Sequence, residues 1–160
     1  MRRPRIPEKL FHIPLTDWVR GTIDKMNEYE KKDSHSRSQF WFSTYQELGG
    51  KSGSSGTKSC PQHAAFGLWQ LGRIKDTNIP FKQIPIKLIN QEYGKNAAYA
   101  AIALDLLIRG QSVPDEKILW PQVQEIFRIK THEYPAESQQ GAIKVARVLF
   151  DEGQIVTGQE

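Results

Sequence analysis

Cys60 and His63 are the pair in this chain whose types and spacing suit nucleophilic chemistry. Three residues apart on a helix, a thiol and an imidazole share one face. Pro61 follows Cys60 directly, which marks a helix start, where unpaired backbone N–H groups and the helix dipole stabilise a thiolate. Lys58 adds positive charge. A Cys–His site also needs a group that orients the imidazole, and spacing selects neither Glu47 nor Glu92 for that role. The plainer reading of the same cysteine is a small residue packed under the helix start, as free cysteines usually are. With one cysteine, and with His12, His35, His63 and His132 forming no i, i+3 or i, i+4 pair, no metal site and no cofactor is expected.

The charge distribution offers different chemistry. From Gly49 to Asn96 there are seven basic residues against Asp76 and Glu92, while the other 112 residues hold fifteen basic against sixteen acidic. Lys51, Lys58, Arg73, Lys75, Lys82 and Lys87 in that window, interleaved with Phe66, Trp69, Phe81 and Tyr93, are what a phosphate-facing surface needs, since each phosphate neutralised releases counterions. The expected partner is nucleic acid or an acidic protein surface; the plain alternative is a solvated surface with a pI of about 9.2. Arg2, Arg3 and Arg5 form a smaller cluster that could reach a groove as an arm. A nucleotide-binding phosphate loop is excluded by spacing, because Gly50-Lys51-Ser52 would need a glycine where Tyr45 stands.

The elements that must position these groups read as helices. Residues 1–15, with Pro4, Pro7 and Pro14, form an extended arm. The helical domain then covers 16–160. Thr16 caps a first helix from about Asp17 to Lys31, with Val19, Ile23 and Met26 on one face. A second helix starts at Ser36 or Ser38, carries Phe40, Trp41, Tyr45 and Leu48, and stops at Gly49-Gly50. Residues 49–59 are a glycine- and serine-rich flexible loop. A third helix runs from Cys60 to about Leu71. The stretch 84–89 is ambiguous between a strand and a helical turn. Lys95 to Arg109 is an alanine-rich helix; a fifth lies within Pro114 to Ile129, with a possible restart at Pro121; the last runs from near Glu137 to Glu152. Residues 66–74 and 147–155 repeat one pattern, helix, glycine, polar residue, isoleucine, in which Ile74 and Ile155 can each pack back on a glycine-capped turn.

The class is therefore all-α, a single compact domain of about six helices with a flexible Gly/Ser loop. A chain of 160 residues with 38% hydrophobic and 25% charged residues buries a core without disulfides or metals. No apolar run approaches the roughly 18 residues that cross a bilayer. A soluble, cytoplasmic protein with no membrane partner is the expectation.

The run Lys58-Ser59-Cys60-Pro61-Gln62-His63-Ala64-Ala65-Phe66-Gly67-Leu68, with Gly72 beyond it, resembles a bacterial domain family of unknown function whose hallmark is K-G-C-P-x-x-A-F-x-G-L. Ser59 and Ala65 depart from that hallmark, and Glu133 to Glu137 separates His132 from Ser138 more widely than the likeness would suggest. The resemblance implies a single helical domain over about residues 40–155. It implies no activity. The residues themselves favour a small basic binding module that works through 49–96; the alternative is an enzyme with a Cys60/His63 site.

Overall fold

The structure is a computed structural model that describes residues 7–29 and 33–157. The arginines at 2, 3 and 5, and the expected end of the first helix at Lys31, lie outside the described residues. The fold is all-α apart from one two-stranded hairpin. The chain forms two compact units, Met1–Lys58 and Ser59–Glu160.

In the first unit, β1 (Lys9–Leu10) pairs antiparallel with β2 (Ile13–Pro14). Phe11 and His12 make the two-residue turn, both with positive φ, 53° and 67°. A type I′ geometry of this kind usually falls to glycine or asparagine. Without that signal in the sequence, the segment reads as a plain arm.

The helices α1 (Leu15–Glu28) and α2 (Ser34–Glu47) follow. Asp33 caps α2 by accepting the Ser36 N–H at 2.8 Å, so the helix begins earlier than the expected Ser36 or Ser38. Trp18 stacks on Trp41 with ring centroids 4.4 Å apart, and its indole N–H donates to the Trp41 carbonyl at 2.8 Å. Gly21 lets the helices close, since a Cβ there would sit 2.6 Å from Thr44 Cγ2.

In the second unit, α6 (Lys95–Ile108) is the central element. Every residue from Asn96 to Leu104 is buried, and α6 packs against α4 (Ser59–Gln70), α5 (Ile86–Tyr93), α7 (Glu116–Thr131) and α8 (Ala142–Asp151). Alanines at 97, 98, 100, 101 and 103 keep the axis thin, so four helices can approach it. The ambiguous stretch 84–89 resolves as helix from Ile86 onward, with Ile89 buried against α6. Pro121 does not restart α7. The helix runs through it, with the proline on the exposed side.

The repeated glycine-capped pattern has an outcome of its own. Arg73 N–H donates to the Leu68 carbonyl at 2.9 Å and Gln154 N–H to that of Leu149 at 2.8 Å, the 6→1 bond of a Schellman cap in each case. The two isoleucines do more than pack back on their own turns. Ile74 and Ile155 pair in an antiparallel bridge, closed by Lys75 N–H to Gln154 O at 2.9 Å and Val156 N–H to Arg73 O at 2.8 Å.

Gly67 is where α4 meets α6 most closely: a Cβ at 67 would overlap the Ala97 methyl. Alanine is the better helix former by about 1 kcal/mol, yet G67A is expected to destabilise the second unit by about 2 kcal/mol through overpacking. Urea denaturation of G67A, with A97G introduced as a second change to restore space, measures this.

Candidate functional site

The glycine- and serine-rich segment, flexible by composition, takes a defined path for a physical reason. Ser52 caps a single helical turn, α3 (Gly53–Gly56), by accepting the Ser55 N–H at 3.2 Å. The segment lies on the ring of Tyr45, which is 2% exposed. A Cβ on Gly50 would overlap that ring, and one on Gly56 would sit 2.6 Å from ring carbons of both Phe42 and Tyr45. The Tyr45 hydroxyl accepts the Ser52 N–H at 3.0 Å. These two glycines therefore serve close packing against an aromatic ring.

This folding back leaves an open groove of about 420 Å³ in the first unit. It is lined by the hairpin turn, Phe11 and His12, and by the chain from Tyr45 through Gly49 and Gly50 to Lys51, Ser52 and Ser55. Lys51 and His12 are exposed, and Phe11 is half-buried. The groove thus combines an ammonium, an imidazole, two hydroxyls and aromatic surface. Two of its residues hold positive φ without being glycine, the kind of strain that collects at functional positions.

Charge is divided between the units. There are eleven basic and seven acidic residues up to Lys58, and eleven of each after it, so the whole net positive charge belongs to the first unit. The window 49–96 straddles this boundary. Lys51 and Lys58 fall in the first unit, and Arg73, Lys75, Lys82 and Lys87 in the second. Lys58, Lys75 and Lys87 are exposed and Lys82 is half-buried.

Arg73 is not available at the surface. It is 2% exposed, its Nη1 donates to Asp105 Oδ1 at 3.0 Å, and its guanidinium lies 4.3 Å from the centroid of the Phe81 ring. The Schellman cap at Gly72 and the bridge at Ile74 turn the residue between them inward. Sequence shows only a cation beside a glycine.

Cys60 and His63 both lie in the opening turns of α4, and both are half-buried. Glu47 is in the first unit, paired with Lys25 at 2.6 Å, and Glu92 is exposed on α5. The group that shares an electrostatic environment with Cys60 is the Tyr99 phenol. Burial raises its pKa above the ordinary value, the neighbouring Cys60 and Glu133 push the same way, and the Ala136 N–H, donated to the hydroxyl at 2.8 Å, opposes it. The Tyr99 ring meets Trp120 edge-on at 5.0 Å, while Trp120 Nε1–H donates to the Glu137 carbonyl and Gln124 Nε2–H to that of Ala136. The stretch after His132 is thus fastened down over α6 and α7, so α8 begins at Ala142 rather than near Glu137. Among the described residues no group of three His, Cys, Asp or Glu side chains is placed to hold a metal ion.

Residues 17–156 match DUF6979, a family of unknown function, and the match reaches into both units. The chain belongs to this family. That agrees with the resemblance to an uncharacterised domain family read from the run between Lys58 and Leu68. No curated protein and no solved structure matches the chain. Membership in the family assigns no activity, so any functional argument rests on the groove and on Cys60.

His12, Phe11 and Tyr45 are the groove residues that sequence reasoning missed. The segment Lys9-Leu10-Phe11-His12-Ile13-Pro14 carries neither a strict alternation nor a turn glycine or asparagine, and Tyr45 reads as one more apolar residue of its helix. Replacing Tyr45 with Phe leaves the ring and removes the acceptor for the Ser52 N–H. The expected loss is about 1 kcal/mol, read as roughly fivefold faster hydrogen exchange at the Ser52 amide.

Proposed function

We propose that the protein is a small cytoplasmic binding module that takes nucleic acid through the groove of its first unit. The observation that carries this reading is the groove itself, which sets Lys51, His12 and two serine hydroxyls beside aromatic surface in the unit that holds all the net positive charge. Phosphates would find an ammonium and hydroxyl donors there, and an unstacked base would find Phe11. This arrangement favours backbone contact without reading of sequence. An acidic protein surface would satisfy the same charges but has no particular use for the aromatic wall.

The test is a titration with mixed DNA and RNA oligonucleotides at two salt concentrations. Binding is expected to weaken steeply with salt, and K51E/K58E to lose about tenfold in affinity with a shallower salt slope. K75E/K82E/K87E in the second unit is expected to change binding little. Circular dichroism checks that both variants fold. No binding at low salt, or an unchanged K51E/K58E, overturns the reading, as does a loss confined to the second-unit variant.

A second reading keeps Cys60 as a nucleophile assisted by His63. In its favour, the thiol is partly accessible in the first turn of α4, with His63 one turn further along the same helix. It predicts that iodoacetamide labels Cys60 faster in the folded protein than in an unfolded control peptide at mildly acidic pH. Protection from labelling removes this reading.

A further inference from the structure

The second unit contains a pocket of different character, about 290 Å³ in volume, between α5, α6 and α7. Its walls are Ile86, Ile102, Leu106 and Ile126. Ile102 and Leu106 are almost fully buried and form the floor; Ile86 and Ile126 are half-exposed and form the sides.

Three charged side chains stand around this apolar surface. Asp105 is neutralised from within, because its Oδ1 accepts from the buried Arg73 guanidinium at 3.0 Å. Arg109, at the C-terminal cap of α6, and Lys130, in the last turn of α7, make no ion pair among the described residues, and both are exposed. The uncompensated charge at the mouth is therefore two cations over an aliphatic floor.

We propose that this pocket binds a small amphiphilic carboxylate, with its hydrocarbon chain against Ile102, Leu106 and Ile126 and its head group between Arg109 and Lys130. The chain gains from burial in proportion to the apolar area it covers. The head group supplies the negative charge that both cations lack, and a charge-assisted hydrogen bond to guanidinium is stronger than a neutral one. A polar anion such as acetate has nothing to leave on the floor, and an alcohol of the same chain length has nothing to give the cations. The pocket thus selects for both properties together, which distinguishes it from the phosphate-facing groove of the first unit.

Calorimetric titration of the full chain with octanoate, octanol and acetate tests this, with each alkyl ligand kept below its aggregation threshold. Octanoate is expected to bind saturably at one site, octanol about tenfold more weakly, and acetate not measurably. In R109Q/K130Q the octanoate advantage should vanish while octanol binding stays the same. I126E, a change at a half-exposed position, should abolish octanoate binding by placing a like charge in the pocket. Thermal melts confirm that each variant is folded. The proposal is overturned if octanoate shows no saturable binding, if octanol binds as tightly as octanoate, or if R109Q/K130Q binds octanoate as the parent does. Nucleic-acid binding, measured on the same R109Q/K130Q protein, is expected to be unaffected, so failure here and failure of the first-unit reading are separately visible.

Discussion

A helix buried on all sides by other helices must be thin, and this requirement governs the second unit. Alanines along α6 let α4, α5, α7 and α8 converge on one axis, and Gly67 removes the last obstruction by leaving room for the Ala97 methyl. Dispersion and apolar burial both grow as surfaces approach to contact distance, so small residues at the crossing stabilise through closeness rather than through their own area. The larger side chains then fill the periphery, with Tyr99 meeting Trp120 and Phe127, and Leu119 and Val123 buried on α7. The aliphatic pocket beside Arg109 lies on this periphery, where α5, α6 and α7 leave a small part of Ile102 and Leu106 exposed between them.

The first unit applies the same device to an aromatic ring. Gly50 and Gly56 lie on Tyr45 because neither brings a side chain, and the Tyr45 hydroxyl fixes the backbone between them at Ser52. Glycine and serine in this density look like flexibility when only composition is considered. Here the glycines permit contact and the serines cap a turn. The groove follows from this arrangement, since the same folding back that covers Tyr45 brings Lys51 into one lining with the hairpin turn.

The helices were legible where apolar periodicity or alanine content is strong, as in α1 and α6, and where proline or glycine punctuates, as at Pro61, Gly72 and Gly153. Legibility failed where the deciding partner is distant in sequence. The Phe11–His12 turn carries no glycine or asparagine and is recognisable only from its paired strands. The start of α8 depends on Tyr99, Trp120 and Gln124 fastening residues around Ala136. Arg73 counts as one more surface cation in any charge tally, and only its pairing with Asp105, thirty-two residues away, shows that it is internal. Of the six basic candidates, Lys51 alone reaches the groove, because a linear window of charge crosses the boundary between the two units.

The bridge between Ile74 and Ile155 has a consequence for the order in which the second unit assembles. Neighbours in sequence, such as α5 with α6 and α6 with α7, pack across short spans of chain, but the larger share of the packing joins helices distant in sequence, α8 with α6 and with α4 among them. The bridge belongs with the distant contacts: it joins residues eighty-one positions apart, and the packing of α4 on α8 closes a similar span and so shares the entropy of its closure. It acts as a long-range latch. Until it closes, the caps at Gly72 and Gly153 are two loose ends, and the backbone that turns Arg73 toward Asp105 is not yet held. Burial of that guanidinium is thus tied to the same long-range closure.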